Sequence, residues 1–435
     1  MTRRLLSLAT VLAASIYAVH VADHFPAVRA DSAPAMAPRA FEFTYQVHFP
    51  ATEHPGGPVR LWIPLPQADG YQDVSMLHID SPAAYSQGRD SEYKNRFAMF
   101  KPTAKQYATG FDVILRFTAT RREHRVALDG RLKNAAVSST AGPLLHRYLE
   151  PDELVPLNGT IAELAKEHTA GDTTQIEKAR HIYDYVVSTM RYDKSGDGWG
   201  RGDAVWACTA KRGNCTDFHS LFIGMMRSSG IPARFEMGFS LPEGKSEGDI
   251  AGYHCWAEFY LNGPGWVPVD ASEAWKNPAK HDYFFGAHDV NRVFFTYGRD
   301  IRLSSDQKGG PLNYFIYPYA EINGQPVKTL ETHFSFRDVA ATPEAAASLR
   351  AIPDADGDSY KALTQNPPAH MRHLGDPHCE LPHSHHLRRR ELSAAKRGGM
   401  LTVEPAHSPR GIKPCHQATL CGWLLPPSSP LPSLL

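Results

Sequence analysis

The chain has 435 residues, and its 46 lysine and arginine residues balance 46 aspartate and glutamate residues, so the formal net charge is zero. This length is sufficient for two domains. A balanced charge gives no general electrostatic attraction to nucleic acid or to an anionic membrane, and we therefore predict no nucleic-acid partner.

The N-terminus has the pattern of a secretory signal peptide. Arg3 and Arg4 precede an apolar run over residues 5–21, and a small-residue cleavage site follows at residues 28–30. A signal anchor is the alternative, because the apolar run is near the lower length limit for a membrane span. We predict a signal peptide over residues 1–30, a mature protein without a stable membrane span, and export to the periplasm or the extracellular space.

Residues 40–135 are predicted to form a β-rich domain. Apolar and polar residues alternate over residues 41–49, and segments 59–64 and 111–119 follow similar rules. Turns rich in Gly, Pro and Asp separate these segments. The pattern is typical of a small antiparallel β-sandwich.

An amphipathic helix is predicted next, because apolar residues recur at helical spacing from Ile176 to Met190. The following loop, residues 193–203, is rich in Gly and Asp and begins like a calcium-binding loop. Ala204 stands where the closing glutamate of such a loop belongs. We therefore favour a loop beside a cleft, and we predict neither a metal nor a cofactor.

Cys215 is placed at the start of a second helix, predicted over residues 216–229. Gly213 and Asn214 supply the turn before it, and Gly230 follows as a stop signal. The unpaired N–H groups and the positive dipole end at a helix N-terminus favour a thiolate over a thiol. A buried structural cysteine is the alternative. The apolar stripe of this helix consists of Phe218, Leu221, Phe222, Met225 and Met226.

His254 lies in a strand predicted over residues 253–261, and after a turn at residues 262–265 a second strand ends at Asp270. Such a hairpin allows the aspartate to hold one imidazole nitrogen while the other faces a thiol. A simple hairpin leaves His254 and Asp270 about three residues out of register. Pro268 predicts a bulge or a sheet edge nearby. An ordinary hydrogen-bonded core histidine is the alternative reading of His254.

Other roles for these side chains stay open. Cys208 and Cys255 could form a disulfide in an exported protein. A zinc site built from Cys215, His219, His254 and Cys255 is disfavoured, because strand neighbours point to opposite faces. His219, one helical turn after Cys215, is an alternative base that ranks below His254.

Three motifs together resemble the transglutaminase-like superfamily, whose core is a papain-like cysteine-protease fold. The resemblance implies an α+β chain with a catalytic domain over residues 155–335, preceded by an antiparallel β-sandwich like those found before such cores in exported bacterial proteins. The motifs are a Gly-x-Cys over residues 213–215, His254 followed by Trp256 and Glu258, and Asp270, together with the helix-to-strand link at residues 229–234.

The resemblance also implies a function. We expect a thiol enzyme that acts on amide or peptide bonds of a protein or peptide substrate through an acyl-enzyme, with Cys215, His254 and Asp270 as its triad. Hydrolysis is favoured. The alternatives are a protein-glutamine acyltransferase and a non-catalytic envelope module for binding or scaffolding. Related enzymes stabilise the oxyanion with the nucleophile's backbone N–H and an upstream side chain, for which Tyr192 and Trp206 are candidates. Structural packing is the alternative for each.

The C-terminal region differs in composition. Residues 361–435 are rich in Pro, His, Arg and Ser, and residues 345–435 are predicted to be a disordered tail. The stretch 383–390 could bind a metal weakly. Residues 311–327, with Tyr314 and Ile316, are instead predicted to belong to the folded body.

Overall fold

The computed structural model describes residues 36–52, 56–128 and 143–341. The predicted signal peptide at residues 1–30 and the predicted tail at residues 345–435 lie outside these described residues, so both remain predictions. None of the described helices is long and apolar enough to cross a membrane.

The described residues contain strands that are mostly antiparallel and helices that are mostly short, which confirms the predicted α+β class. The strands are β1 (Arg39–Phe49), β2 (Val59–Pro64), β3 (Gln72–Asp80), β4 (Tyr85–Arg89), β5 (Arg96–Phe100), β6 (Phe111–Arg121), β7 (His124–Arg125), β8 (Arg191–Tyr192), β9 (Arg212–Gly213), β10 (Ala233–Ser240), β11 (Glu247–Asp249), β12 (His254–Leu261), β13 (Gly265–Val269), β14 (Ala287–His288), β15 (Arg292–Tyr297), β16 (Tyr319–Ile322), β17 (Gln325–Pro326) and β18 (Glu331–Val339). The helices are α1 (Ala104–Thr109), α2 (Pro143–Arg147), α3 (Gly159–His168), α4 (Gln175–Thr189), α5 (Ala204–Ala210), α6 (Cys215–Ser228) and α7 (Ala271–Lys276), and a 3₁₀ turn follows at Pro278–Lys280.

Two five-stranded antiparallel sheets form the N-terminal region, with strand orders β11-β18-β1-β6-β3 and β17-β16-β2-β5-β4. The alternation seen in the sequence explains them, because alternate residues of β1 from Phe41 to Phe49 are apolar and buried on one face. Phe43 of β1 contacts Phe239 and Phe295, with ring centroids 5.2 and 5.9 Å apart. The first sheet therefore packs directly on strands β10 and β15, which belong to the next sheet.

The chain returns to the N-terminal sheets after the core. Strand β18 pairs with β1, and strand β16 pairs with β2. Segment 319–339, which the sequence predicts as the end of the core domain and the residues just after it, thus supplies strands to both N-terminal sheets. A period-2 pattern indicates a strand but not the sheet that the strand joins, so sequence alone could not show this return.

The core consists of a four-stranded antiparallel sheet in the order β13-β12-β10-β15, with helix α6 packed across β12 and β10. Every residue of α6 from Cys215 to Arg227 is buried, as expected for a helix surrounded by other elements. Helices α3, α4 and α5 contact α6. The amphipathic helix predicted from residue 176 to 190 is α4, and it packs against the helix that begins at Cys215.

Candidate active site

Cys215 is the first residue of α6 and is 1 % exposed. Asn214 is its N-cap, and the Asn214 side chain accepts a hydrogen bond from the Thr216 N–H at 2.9 Å. Asp217 completes a capping box by accepting from the Asn214 N–H at 2.9 Å. This cap fixes the turn of helix that carries the thiol and leaves the N–H of Cys215 without a partner inside the helix.

Asp217 also holds the preceding loop against the helix. Its two carboxylate oxygens accept hydrogen bonds from the N–H groups of Gly200 at 2.7 Å and Gly202 at 3.0 Å. Arg299 supports the same loop, because its Nη1 donates to the Gly202 carbonyl at 2.6 Å and to Ser220 Oγ at 2.8 Å. Hydrogen bonds thus hold the glycine-rich loop against α6, the helix that begins with Cys215.

His254 and Asp270 meet at the end of the β12–β13 hairpin. Nε2 of His254 lies 2.7 Å from Oδ2 of Asp270, and both residues are buried. Asp270 follows β13 and is the N-cap of α7, where Oδ1 accepts from the Glu273 N–H at 2.9 Å. Since Asp270 occupies Nε2, the Nδ1 atom of His254 is the one available to the thiol.

Charges in this site favour an ion pair between thiol and imidazole. Burial opposes ionisation of Cys215, but hydrogen bonds from Cys255 and His254 outweigh it and hold the pKa of Cys215 well below its usual range. Burial likewise opposes a charge on His254, yet the Asp270 carboxylate raises the pKa of His254 to about 10. The two pKa shifts therefore favour a Cys215 thiolate beside a His254 imidazolium at neutral pH.

His219 and Cys255 lie beneath this pair. Nε2 of His219 accepts a hydrogen bond from the Ala271 N–H at 3.2 Å, which places the imidazole proton on Nδ1, 3.7 Å from Sγ of Cys255. Burial lowers the pKa of His219 to about 4, so this imidazole is neutral. Burial also raises the pKa of Cys255, which stays a thiol. Both ring nitrogens of His219 are therefore engaged by neighbouring groups.

The two oxyanion candidates are placed differently. Tyr192 precedes the glycine-rich loop, pairs with Gly213 through β8 and β9, and is close enough to Cys215 for burial and that thiolate to raise the pKa of Tyr192. Its hydroxyl therefore stays protonated. The indole of Trp206, on α5, instead packs over Gly198 and stacks with Arg212, whose guanidinium lies 5.3 Å from the ring.

The structure also bears on the possible disulfide and the possible zinc site that involve cysteines. Cys208 and Cys255 are both free thiols, so the possible disulfide between them is not formed. Among the described residues, the closely spaced groups of possible metal ligands do not include the set Cys215, His219, His254 and Cys255.

A cavity of about 490 Å³ opens beside the helix start. Asn214 and Tyr253 form one side, and Trp199 and Tyr314 supply further aromatic surface. The Tyr253 hydroxyl is 2.6 Å from Thr216 Oγ1 and accepts from Asn214 Nδ2 at 3.0 Å. The cavity thus adjoins the first turn of the helix that carries Cys215.

Residues 162–271 match the family model of the transglutaminase-like superfamily, a span that runs from α3 through β13 to the first residue of α7. Residues 162–271 therefore form a domain of the transglutaminase-like superfamily. The family prediction is therefore confirmed, together with the fold class.

Similarity to individual proteins extends beyond residues 162–271. An uncharacterized protein of Haemophilus influenzae is 27 % identical over 328 residues, which cover 67 % of this chain and 88 % of that protein. YebA of Bacillus subtilis is 28 % identical over 150 residues, which cover 31 % of this chain and 20 % of YebA. A solved structure described as a candidate cysteine protease from Cytophaga hutchinsonii has a TM-score of 0.51 at 16 % identity and covers 71 % of this chain and 93 % of its own. That last likeness shows a shared fold.

Sequence reasoning missed Arg292 and Asp217 in this transglutaminase-like site. Arg292, at the start of β15, donates from Nη1 to Asp270 Oδ2 at 2.7 Å. No spacing links Arg292 to Asp270 in the sequence. Asp217 carried a usable signal, because an acidic residue three positions after an Asn N-cap is typical of a capping box.

Proposed function

We propose that this protein is an exported thiol enzyme that hydrolyses amide or peptide bonds through an acyl-enzyme. Cys215 is the nucleophile, His254 the proton carrier and Asp270 the residue that orients His254. The observation that carries the proposal is the buried chain of contacts from a helix-start thiol with a depressed pKa to a histidine held at 2.7 Å by an ionised aspartate. A pure binding module has no need of this charge arrangement.

In the proposed reaction the Cys215 thiolate attacks the substrate carbonyl carbon, and the C=O π electrons move onto oxygen. The Cys215 backbone N–H and the Tyr192 hydroxyl donate to that oxyanion. As the intermediate collapses, the C–N bond breaks and Nδ1–H of His254 protonates the leaving amine. Neutral His254 then takes a proton from water, the resulting hydroxide attacks the thioester, and the thiolate leaves as the acid product forms.

Labelling with a thiol-directed acylating probe, followed by peptide mapping, tests the nucleophile. Mapping is required because the chain has six cysteines. We expect acylation of the Cys215 peptide in the parent, its loss in Cys215→Ala, and retention in the matched control Cys208→Ala. Equal total labelling of Cys215→Ala and the parent would show that the assignment is wrong.

Two measurements separate the proposed hydrolase from a binding module and from an acyltransferase. The pKa of Cys215, measured from the pH dependence of alkylation, separates enzyme from binder: we expect a value well below about 8.5, and a value at or above it favours the binding module. Adding a primary amine to the acyl-enzyme separates hydrolysis from acyl transfer. Release mostly of the free acid supports hydrolysis, whereas a dominant amide product supports a protein-glutamine acyltransferase.

Export is part of the proposal and rests on the N-terminal pattern of residues 1–30. Fractionation of bacteria that express the full chain is expected to recover the protein outside the cytoplasm with an N-terminus near residue 31. An intact N-terminus in the membrane fraction would instead support the signal-anchor alternative.

A further inference from the structure

A second cluster of chemically active side chains lies near the triad but takes no part in the proposed reaction. It consists of His124 on β7, Glu258 on β12 and His288 on β14, and all three residues are buried. One ligand atom from each lies within 4.8 Å of the other two. Among the described residues, this is the group of possible metal ligands that comes together this closely.

His288 is the decisive member of the cluster. It is fully buried, and neither of its ring nitrogens has a hydrogen-bond partner among the described residues. Buried polar groups are nearly always paired, because an unpaired one loses its water without compensation. The His288 and His124 rings are nearly perpendicular, with centroids 6.3 Å apart, so the unpaired imidazole lies beside another imidazole.

The other two members are already arranged as ligands. Nδ1 of His124 is 3.1 Å from Oε1 of Glu258, and the His124 ring is fixed by stacking on Tyr71 at 3.6 Å. Arg234 donates to the second oxygen, Oε2, and so leaves Oε1 facing the cluster. A histidine–glutamate ion pair would account for these two residues but would leave His288 unexplained.

Two imidazoles and a carboxylate form a ligand set suited to zinc and similar ions. A tetrahedral zinc ion about 2.0–2.1 Å from each donor needs donor atoms about 3.4 Å apart. The His124–Glu258 separation of 3.1 Å is close to that value, and a ligand atom of His288 lies within 4.8 Å of both donors. We propose that His124, Glu258 and His288 form a binding site for a divalent transition-metal ion such as Zn²⁺.

The site joins separate parts of the chain. Strand β7 follows the N-terminal sheets, β12 carries the histidine of the triad, and β14 pairs with β7. Trp256 contacts both His288 and His254, with ring centroids 5.8 and 5.9 Å apart. A bound ion therefore fastens the N-terminal region to the strand of His254. Local spacing in the sequence could not reveal this, because the three ligands are far apart along the chain.

Zinc binding by the full-length chain tests the proposal. The C-terminal region contains histidines that could bind metal on their own, so the parent for this experiment is the full chain with His383, His385 and His386 replaced by alanine. After chelation, exposure to Zn²⁺ and dialysis, we expect one retained equivalent per chain. X-ray absorption at the zinc edge is expected to show two imidazole ligands, oxygen ligands and no sulfur.

His288→Ala in the same background should lose the retained equivalent, and Zn²⁺ should no longer raise its melting temperature. His333→Ala is the matched control, because His333 is exposed and forms an ion pair with Asp249 away from the cluster, and this variant should keep the ion. If His288→Ala fails to fold, the absorption spectrum of the folded parent decides. A sulfur ligand, the absence of a retained equivalent in the parent, or unchanged retention by folded His288→Ala would each overturn the proposal.

Discussion

Arg292 and His254 both form hydrogen bonds with the same oxygen of Asp270, Oδ2, each at 2.7 Å. The other oxygen accepts from Ser272 Oγ at 3.0 Å and from the Glu273 N–H at 2.9 Å. Burial opposes the charge on Asp270, but His254 and Arg292 outweigh it and hold the pKa of Asp270 well below its usual range. The carboxylate is thus ionised and held by four donors.

Replacing Arg292 with leucine should slow acylation of Cys215 about 10- to 100-fold, because Arg292 holds the carboxylate that orients His254. The unfolding free energy should fall by about 3 kcal/mol, near the lower end for breaking a buried ion pair, because His254 still neutralises Asp270. Labelling rates across pH and denaturant unfolding measure the two effects. Arg337→Leu, at an exposed ion pair with Glu42, is the control and should change neither. A parental labelling profile in Arg292→Leu would contradict the positioning role.

The pH dependence of stability should reveal the charge on His254. Its pKa is raised to about 10 in the fold, above the unfolded value of about 6.5, so its contribution is fully present below pH 6.5 and is lost as pH rises through 10. Because the depressed pKa of Cys215 has the opposite pH dependence, the comparison is made without the thiol. The difference in unfolding free energy between Cys215→Ala and the double variant Cys215→Ala/His254→Gln should shrink as pH rises above about 6.5, by a few kcal/mol. In Cys215→Ala, the window should end at lower pH, because the thiolate that supports the imidazolium is gone. A difference that stays constant from pH 6 to 10 would show that His254 is not charged in the fold.

How far the site could be predicted is clearest at the β12–β13 hairpin. The strands and the turn were predictable from the alternation and the Gly and Pro residues, but the predicted offset of about three residues between His254 and Asp270 is wrong by one. Leu261 pairs with Gly265, so Asp270 falls opposite Trp256, which is two residues from His254. An even offset puts both side chains on one face, and the odd offset would have separated them. One residue of turn length, which propensity does not determine, decides whether the pair can form.

Pro268 illustrates a prediction that succeeded. It lies in β13, which is the edge of the four-stranded sheet, and the pairing with Glu258 runs without a bulge. A residue that cannot donate to a ladder is tolerated there. Arg292, in contrast, reaches Asp270 from another strand of the sheet, and neither residue's neighbours in the sequence indicate the contact. Local chemistry therefore selected Cys215, His254 and Asp270 as candidates, while the residues that contact them depend on tertiary packing.

Gly202 should be sensitive to substitution because it is enclosed by the residues that hold the loop to α6. Its φ is +63°, and an added Cβ would lie 2.5 Å from Ser220 Oγ and 2.6 Å from Thr216 Cγ2. Gly202→Ala should therefore cost about 2–4 kcal/mol, from backbone strain plus overpacking, and should slow acylation of Cys215. Gly159→Ala is the matched control, since its φ of +54° is similar but nothing lies within 4 Å of the added atom. It should cost only about 1 kcal/mol. Equal losses in thermal and labelling assays would mean that the loop does not depend on close packing at Gly202.

Two truncations should separate the predicted tail from the folded body. A chain that ends at Ala341 keeps β18, and we expect its melting temperature and Cys215 labelling to match the full chain, since residues 345–435 lack the apolar pattern needed to build a core. A chain that ends at Leu330 loses β18, which lies between β1 and β11.

The shorter chain should be strongly destabilised because β18 supplies two buried aromatic residues. Phe334 contacts Tyr45 and Phe239, with ring centroids 4.7 and 4.5 Å apart, and Phe336 is 4 % exposed. Each buried phenylalanine contributes about 1.5–3 kcal/mol, and the edge of β1 would also lose its ladder of hydrogen bonds. Thermal denaturation of the two truncated chains beside the full chain measures the difference. A large loss of melting temperature in the chain ending at Ala341 would show that the tail packs on the body, and a stable chain ending at Leu330 would show that β18 is dispensable.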